Sequence, residues 1–438
     1  MKKYNKNQFD KTIDAHKKKG EISRRHFLLG AGSLVFGGAL GGGLLSGCKQ
    51  EVTTQTVSTT KTVSIPTTVE VPVMTTVTET AYSTVTEMTT ETVTETAAEV
   101  KTVTITDAAG REITVNLPVE RVAYLHPAIA ESLVIVNAWD RVIAKDNYTF
   151  DTLIFPGLDN MPVLPYFESG SVDYEKIIEL QPDVLLVLPT AGGIDLNEAI
   201  SKLEPEIPVI SVFDTNDADT WSKGIELLGA VMQREEEAQA FASFVQSIED
   251  SVTAKTSGLV EADKPSVLLK ISGWTIDQFS SFSNEFAPVK KLVDVTGAVN
   301  LAADLPSMGG WVENIDPEWL VTQDYDYVLV DIWESYYPRA MGVGVLDTSA
   351  AQTILEDLTA MNVFEGSKPV IDGHFYLMDH ELIMSIRYPM LLAYAAKAFH
   401  PELFIDFDPD AVMQDYLTRF IRIEVDPIES GLFFYPKL

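Results

Sequence analysis

The sequence predicts an α/β body of two halves, each built on a mainly parallel sheet and joined to the other by one long helix. Three observations support this fold class. Short apolar runs alternate with helical segments from residue 121 onward, a second set of the same kind begins after Lys264-Pro265, and an unbroken amphipathic stretch lies between the two sets. With 438 residues, the chain is long enough for several folded units.

The first segment is basic, in front of a strongly acidic remainder. Residues 1–48 hold nine Lys and Arg against three Asp and Glu, whereas the rest of the chain holds 23 against 61. This asymmetry is typical of an export signal that precedes an exported protein. The acidic body would repel a phosphate backbone, so nucleic acid is excluded as a partner.

Residues 1–48 also carry two export motifs. Arg24 and Arg25 stand before a Gly-rich apolar stretch that ends in Leu45-Ser46-Gly47-Cys48. The arginine pair resembles a twin-arginine signal and the last four residues resemble a lipobox, so Cys48 is predicted to become the lipid-bearing first residue after cleavage. An uncleaved transmembrane helix is the alternative, and in both cases the body lies outside the cytoplasmic membrane. Cys48 is the only cysteine, which leaves the body without disulfides or thiolate metal sites.

Residues 49–100 are predicted to form a stalk. Positions 51–100 contain 19 Thr and 10 Val and almost no aromatic residues, so the segment cannot bury enough apolar surface to fold alone. Its β-branched residues favour extended backbone. Strands added to the body are the alternative, and the sequence leaves O-glycosylation open.

Residues 101–232 are predicted to form the first half. Alternating apolar residues on both sides of a turn at Asp107-Ala108-Ala109-Gly110 indicate a β-hairpin. Strands follow at 121–125, 142–145, 184–188 and 209–212, with helices at Ala128–Val136 and Tyr174–Leu180.

Residues 233–258 hold the joining helix and residues 259–438 the second half. Apolar residues recur every three to four positions through Glu235–Thr256 and form one apolar stripe. Beyond it, strands are predicted at Val267–Ile271, at Tyr327–Asp331, near Val370 and near Tyr376, and helices at Ala287–Thr296, Pro317–Thr322, Tyr388–Phe399 and Asp410–Ile421.

Three stretches resemble the substrate-binding proteins of ABC importers for iron–siderophore complexes, haem and cobalamin. They are Thr104–Val115, which resembles the family's opening hairpin, Glu120–Glu131, which resembles its first strand, ligand loop and helix, and Asp173–Leu186, which resembles its N-x-E-x-I-x-x-L-x-P-D helix–strand unit with Asp173 in place of Asn. The resemblance covers nearly all of 101–438. It implies two Rossmann-like lobes with mainly parallel sheets, bridged by one long rigid helix, with the ligand in the cleft between the lobes.

In such a fold, the ligand lies at the carboxyl ends of the strands, where loops of both lobes face the cleft. Flat aromatic side chains in these loops suit a large conjugated ligand, and an arginine suits a carboxylate or catecholate. Each residue also has a purely structural interpretation, as core packing or as a salt bridge. The candidate ligand-binding residues are His126, Tyr148, Phe167, Trp274, Trp311, Trp333, Tyr336, Tyr337, His380 and Arg387.

The resemblance also implies contact with a permease. In the family, a glutamate on the rim of each lobe docks onto permease arginines, and Glu175 and Glu318 occupy the matching positions. Charge-assisted bonds from both lobes would grip both permease subunits. The alternative is that both are ordinary first-turn glutamates favoured by the helix dipole.

We therefore expect a monomeric, lipid-anchored receptor on the outer face of the cytoplasmic membrane that passes a metal chelate to an ABC importer. No enzyme motif and no resident cofactor is indicated. His126, His374 and His380, with Asp379 or Glu381, leave a receptor for a bare metal ion or oxyanion as one alternative. A surface or adhesion protein, with the stalk as its main functional part, is the other.

Overall fold

The computed structural model describes residues 66–77, 85–96, 101–166, 172–189, 194–214, 220–271, 279–423 and 431–438. The predicted export signal with Arg24, Arg25 and Cys48 lies outside these residues, as do Phe167 and Trp274. Within the described ranges, no helix has the length and apolar character needed to cross a membrane.

The Thr/Val-rich segment contains two paired strands. Strand β1 (Pro66–Val77) lies antiparallel to β2 (Val85–Thr96), and the register runs without a break from Pro66 opposite Thr96 to Val77 opposite Val85. Extended backbone was predicted here, whereas the pairing of the two parts of the segment with each other was not. Each strand provides hydrogen-bond partners for the backbone N–H and C=O groups of the other. The β-branched residues favour the extended backbone that this pairing requires.

The first lobe opens with the predicted hairpin and continues with a parallel sheet. Strands β3 (Lys101–Thr106) and β4 (Glu112–Leu117) form the hairpin, and Gly110 in its turn adopts a φ of 76°. The sheet has the order β6 (Val142–Ala144), β5 (Val122–Leu125), β7 (Val184–Val187) and β8 (Val209–Ser211), all parallel. Its helices are α1 (Pro127–Ile135), α2 (Tyr174–Leu180), α3 (Leu196–Leu203) and α4 (Thr220–Met232).

The joining helix α5 spans Glu235–Thr256, with the predicted bounds. It contains neither proline nor glycine, and three glutamates at its first turn favour its N-terminus. Its buried face includes Phe241, Val245 and Ile248. This face packs against α4 of the first lobe and against α6 and α11 of the second, so α5 is shared by both lobes.

The second lobe is built on a mixed sheet with a parallel centre. The sheet order is β12 (Trp311–Val312), β10 (Ser280–Phe282), β9 (Ser266–Ile271), β13 (Tyr327–Ile332), β15 (Phe375–Asp379) and β17 (Phe434–Tyr435), with β11 (Val299–Asn300) beside β9. A separate pair joins β14 (Gly342–Val343) to β16 (Gly431–Leu432). Its helices are α6 (Ala287–Thr296), α7 (Pro317–Val321), α8 (Ser349–Thr359), α9 (Lys368–Asp372), α10 (Glu381–Met384), α11 (Tyr388–Phe399) and α12 (Pro409–Tyr416), the last followed by a π-helical turn at Leu417–Ile421.

One predicted strand of this lobe is wrong, although the predicted fold class is confirmed. Val370 lies in helix α9, not in a strand. Pro369 stands in the first turn of this helix, where its missing N–H is not needed, and Gly373 ends the helix in the left-handed conformation.

The apolar core links the lobes along α5. One cluster of buried residues extends from Val103 in the first hairpin through Phe241 of α5 to Leu391 of α11. On its other face, each lobe has a cluster of its own, around Leu185 in the first lobe and around Val330 in the second. The two lobes therefore share a core on one side and diverge on the other.

Candidate ligand cleft between the lobes

The carboxyl ends of the central strands of both sheets border one cavity. His126 follows β5, Asp146 follows β6, Trp333 follows β13 and His380 follows β15. A cavity of about 170 Å³ is lined by residues of both lobes, including Tyr148, Phe150 and Asp151 from the first and Glu334, Asp379 and Glu381 from the second. This is the edge at which parallel α/β sheets bind ligands.

A buried carboxylate fixes the loops of the first lobe. Asp146 accepts hydrogen bonds from the backbone N–H groups of His126 at 3.1 Å and of Tyr148 and Thr149 at 2.7 Å each. Burial raises the pKa of Asp146 to about 6, although these hydrogen bonds act in the opposite direction. The loops after β5 and β6 are thereby held together behind the cleft wall.

His126 adopts a strained backbone conformation at the start of α1. Its φ is 137°, a value that side chains other than glycine rarely adopt, and its Nδ1 accepts a hydrogen bond from the Ala128 N–H at 3.2 Å. Burial, and to a lesser degree the neighbouring His380, lower the pKa of His126 to about 3. The ring is therefore neutral at neutral pH.

Aromatic rings form a continuous row from one lobe to the other. His126 lies 6.4 Å from Tyr166, which meets Tyr148 edge-on at 5.6 Å between ring centroids. Tyr148 then contacts Trp333 of the second lobe at 6.1 Å, and Trp333 stacks on His380 at 4.8 Å. The structure thus brings together four of the predicted ligand-binding residues, and it adds Tyr166, which the sequence analysis did not select.

The second lobe orients His380 through an ion pair. Its Nδ1 lies 2.8 Å from the nearer carboxylate oxygen of Asp331, which is almost fully buried at the end of β13. Burial opposes the protonated form of His380, but the charge of Asp331 and its hydrogen bond outweigh it, so the pKa of His380 lies above its usual value. Tyr336 packs edge-on against Trp333, with 5.0 Å between the ring centroids.

Arg387 connects the two lobes through carboxylates. Its Nε donates to Glu131 Oε1 of the first lobe at 2.6 Å, and its Nη1 donates to Asp379 Oδ2 at 3.2 Å. Glu131 also accepts hydrogen bonds from the Tyr416 hydroxyl and, at 3.4 Å, from Ser385 Oγ. Arg387 borders the cavity, as a ligand-binding residue would, but its guanidinium already serves as a link between the lobes.

Glu131 was not among the residues selected from the sequence, although its surroundings in the sequence carry a signal for this contact. Glu131 is the only charged residue of α1, a helix that is otherwise apolar apart from one serine and is almost wholly buried. A buried charge needs a partner, so a lone carboxylate in an apolar helix indicates a cation from another element.

The cavity wall is acidic. Five carboxylates and two guanidinium groups line it, and burial raises the pKa of Asp379 to about 7 although Arg387 acts in the opposite direction. Burial also raises the pKa of Glu381. The lining carboxylates are Glu131, Asp151, Glu334, Asp379 and Glu381, and the guanidinium groups are those of Arg339 and Arg387.

Two predicted ligand-binding residues lie in other surroundings. Trp311 is on the edge strand β12, where it is 37 % exposed and packs edge-on against Phe282 at 5.3 Å. Tyr337 packs against the separate core of the second lobe. Neither lines the cavity described above. Of the predicted ligand-binding residues that the structure describes, only Tyr148 and Arg387 line it, whereas His126, Trp333, Tyr336 and His380 lie beside it.

His374 is separated from the cleft by the length of β15. It precedes this strand, whereas His380 follows it, and its ring stacks on Tyr327 with 4.3 Å between centroids. Within the described ranges, no group of three His, Cys, Asp or Glu side chains is arranged to hold a metal ion.

Glu175 and Glu318 are both exposed in the first turns of short helices. Asp173 caps α2 by accepting from the Lys176 N–H at 2.9 Å, and Asp316 caps α7 by accepting from the Glu318 N–H at 2.8 Å. Each helix directly precedes a parallel strand of its sheet, so its N-terminus lies at the same sheet edge as the cleft. The two glutamates therefore stand one on each lobe, on the side where the cleft lies.

Comparison with known proteins agrees with this geometry. Residues 122–382 match the model of the family described as periplasmic binding protein. The structure resembles the crystal structure of the TroA-like periplasmic binding protein FepB from Veillonella parvula, with a TM-score of 0.64 and 23 % identity over 76 % of this chain and 98 % of that one. CeuE from Helicobacter pylori gives a TM-score of 0.58 with 17 % identity over 75 % of this chain and 98 % of that one.

Two curated relatives are similar in sequence. The uncharacterized ABC transporter substrate-binding lipoprotein YvrC of Bacillus subtilis is 25 % identical over 234 residues, which cover 50 % of this chain and 69 % of YvrC. A cobalamin-binding protein of Halobacterium salinarum is 22 % identical over 231 residues, 52 % of this chain and 58 % of that protein. Since the family match covers more than half of the chain, this protein belongs to the periplasmic binding protein family, whose members are the substrate-binding proteins of ABC transporters.

Proposed function

We propose that this protein is a lipid-anchored extracellular receptor that captures a metal chelate in the cleft between its lobes and delivers it to an ABC importer. The chelate is an iron–siderophore complex, haem or a cobalamin. The observation that carries the proposal is the row of aromatic rings that crosses the cleft from Tyr148 to Trp333 and His380. Such rings offer flat apolar faces to a large conjugated solute, and the imidazole adds a polar contact.

The size of the cavity sets a condition on binding. Its volume of about 170 Å³ is below the several hundred Å³ that a drug-sized ligand occupies. A chelate of this class therefore binds with the cleft more open than in this structure, or leaves part of its surface outside. The second possibility fits a receptor that must hand its solute on.

A bare metal ion or an oxyanion is less well supported as the solute. No three-residue metal site is present in the described part of the chain, and the acidic wall would repel an oxyanion. A surface or adhesion function predicts no tight small-molecule ligand, and the cleft gives it no support.

Titration of intrinsic tryptophan fluorescence tests the solute class. We expect cyanocobalamin, haem or a ferric siderophore to quench the emission of Trp333 with saturation, and we expect equilibrium dialysis to give the same affinity. In a Trp333→Phe variant the saturable response falls, whereas Trp319→Phe, which alters a tryptophan packed on the core of the second lobe, retains it. Absence of binding by all three solutes in dialysis contradicts the proposal.

The proposal includes permease docking through Glu175 and Glu318. Their positions on the two lobes, on the side of the cleft, support it. We expect a Glu175→Gln/Glu318→Gln variant to bind solute normally but to support much less uptake by the importer. Glu236→Gln is the matched control. Glu236 is also an exposed first-turn glutamate, but it lies in the joining helix α5 and not in α2 or α7. Unchanged uptake in the double variant would leave helix stabilisation as the role of both glutamates.

The anchor is proposed from the sequence and from the lipoprotein among the relatives. Export through the motif at Arg24 and Arg25 and lipid attachment at Cys48 are tested together. A Cys48→Ser variant is expected to lose metabolic labelling with palmitate and to leave the membrane fraction, and an Arg24→Lys/Arg25→Lys variant is expected to accumulate inside the cell. A Cys48→Ser protein that still carries lipid would move the anchor elsewhere.

A further inference from the structure

Each lobe contains one copy of a repeated helix–strand unit. The first copy runs from Asp173 through α2 into β7, and the second runs from Asp316 through α7 into β13. In both copies a glutamate lies two positions after this aspartate, and two adjacent aliphatic residues lie four and five positions after it. A second aspartate directly precedes the strand, which begins eleven positions after the first aspartate in both copies. Because both strands belong to the parallel part of their sheets, the two copies occupy the same place in their lobes.

Several matched positions of this repeated unit have a structural role. The first aspartate of each copy caps its helix, as described above. The second aspartate holds the neighbouring strand: Asp183 accepts a hydrogen bond from the Arg121 N–H at 2.9 Å, directly before β5, and Asp326 accepts one from the Ser266 N–H at 2.8 Å, at the start of β9. The first aliphatic residue of each copy is fully buried in a core cluster of its own lobe; these residues are Ile177 and Leu320.

Two matched positions have no such role within the fold. Neither Glu175 nor Glu318 has a side-chain hydrogen bond or a salt bridge with another described residue. The second aliphatic residue of each copy faces water, since Ile178 is 50 % exposed and Val321 is 62 % exposed. Residues three positions apart are neighbours on a helix surface, so each exposed aliphatic side chain lies beside the glutamate of its own copy.

The exposure of these aliphatic residues has no explanation within the helices themselves. A single exposed apolar side chain is common on protein surfaces. Here, however, an exposed aliphatic residue recurs beside an unpaired carboxylate at the same position in both lobes. Neither Ile178 nor Val321 is explained by helix propensity, because β-branched residues are weaker helix formers than alanine or leucine. The repeated pair therefore indicates a partner that contacts both lobes in the same way.

The surface beside the first copy is concave. An open depression of about 640 Å³ is lined by Glu175 and Ile178 together with further apolar side chains, including that of Val172. Its charged lining consists of two carboxylates, those of Asp173 and Glu175, and the ammonium group of Lys202. A concave surface with an apolar floor and a carboxylate at its edge suits a protruding protein segment that carries both an apolar and a cationic side chain.

We propose that the pairs Glu175/Ile178 and Glu318/Val321 form one docking epitope that is present once on each lobe, and that the permease offers its complement twice. That complement is a cationic side chain beside an apolar surface, as two like subunits would present it. The inference rests on the proposed function, in which both glutamates dock, and adds the two aliphatic anchors. An aliphatic side chain buried beside each ion pair keeps water from it and so strengthens the attraction between its charges.

Solute uptake by cells tests the aliphatic anchors. Each variant of the full-length protein replaces the chromosomal copy, immunoblotting matches the amounts at the cell surface, and the initial uptake of radiolabelled cyanocobalamin, haem and a ferric siderophore is measured. We expect Ile178→Ser and Val321→Ser each to lower uptake at least about threefold, and the double variant to lower it at least about tenfold, because each change removes apolar surface that docking buries. Equilibrium dialysis of the double variant should give the solute affinity of the wild-type protein.

Two further variants serve as controls. Val260→Ser/Ile371→Ser also removes one valine and one isoleucine, which are 61 % and 73 % exposed. These two residues precede β9 and β15, toward the sheet edge away from the cleft, so this variant should retain uptake. Ile178→Val/Val321→Ile keeps an aliphatic side chain at both anchor positions and should retain uptake as well. Circular dichroism checks that all variants are folded.

The outcomes separate this inference from the proposed function. If Ile178→Ser/Val321→Ser takes up solute at the wild-type rate, if only one of the single variants loses uptake, or if Val260→Ser/Ile371→Ser loses as much, the inference is overturned. Reduced uptake in Glu175→Gln/Glu318→Gln would then still support docking by charge alone. If both double variants at the docking helices take up solute normally, docking at α2 and α7 is overturned while the receptor function stands. If the wild-type protein binds none of the three solutes, both are overturned.

Discussion

The ion pair between Glu131 and Arg387 should be among the polar contacts that contribute most to stability, because it joins the two lobes and both side chains are almost fully buried. Arg387 is 4 % exposed and Glu131 is 2 % exposed. An Arg387→Ala change leaves Glu131 and Asp379 buried without their cation. Removal of one partner from a buried pair costs about 3–5 kcal/mol, so we expect the free energy of unfolding to fall by about that amount.

Two further variants test the cause of this loss. Glu131→Gln keeps an acceptor for the Tyr416 hydroxyl and leaves Arg387 paired with Asp379, so it should cost only about 1–3 kcal/mol. The combined Glu131→Leu/Arg387→Met variant should be less destabilised than the sum of its single changes by about 1–3 kcal/mol, since it leaves neither charge of the pair behind.

Urea denaturation followed by circular dichroism measures these differences. The control is Asp415→Ala, which breaks the exposed i,i+4 pair of Asp415 with Arg419, where the side chains are 44 % and 48 % exposed, and leaves Arg419 over the rings of Phe244 and Phe420. Such a pair contributes at most about 0.5 kcal/mol. If Arg387→Ala costs no more than Asp415→Ala, the buried link between the lobes does not stabilise the fold as argued.

Three further predictions concern single positions. Because the pKa of Asp379 is raised in the folded state to about 7, the folded protein binds more protons than the unfolded chain between about pH 4 and 7. Stability therefore falls as pH rises through this range, by up to about 1.4 kcal/mol per pH unit, and Asp379→Asn should lack this contribution in pH-dependent denaturation curves. His126→Gly should be more stable than His126→Ala by about 1 kcal/mol, because only glycine relieves the φ of 137°, and equal midpoints in urea would refute the strain. Gly224→Ala would place a Cβ 2.4 Å from the ring of Phe213 and 2.5 Å from the Val212 carbonyl oxygen, so thermal unfolding should show a loss of about 1–3 kcal/mol, and an unchanged midpoint would contradict this packing.

The elements that sequence predicted best have strong periodicity and clear ends. Helix α5 was predicted with its observed bounds because its apolar stripe is regular and three glutamates mark its start. Helix α11 was predicted equally well, from an apolar segment that opens with Tyr388-Pro389. The apolar residues around Val370 are too few to show a periodicity that separates a strand from a helix. Pro369 favours the first turn of a helix, and Val370 lies in helix α9.

The placement of several candidate-site residues follows from topology rather than from periodicity. His126, Tyr148, Trp333 and His380 follow strands, so topology alone brings them to one edge. Tyr166 could not be found in this way, because it precedes α2 and reaches the cleft through its contact with Tyr148. Glu131 and Tyr416 are 285 positions apart, and no local pattern reports a hydrogen bond over that separation.

The contacts that hold the two lobes together limit how this protein can discriminate between solutes. A core shared along α5 and a buried ion pair between Glu131 and Arg387 both oppose a wide separation of the lobes. Selectivity must then come from the wall of the cleft more than from a large closing motion. Asp379 and Glu381, whose pKa values burial raises, line that wall, and the strained His126 directly precedes Pro127, which also lines it. Features that oppose folding and collect at one place are an expected mark of a binding surface.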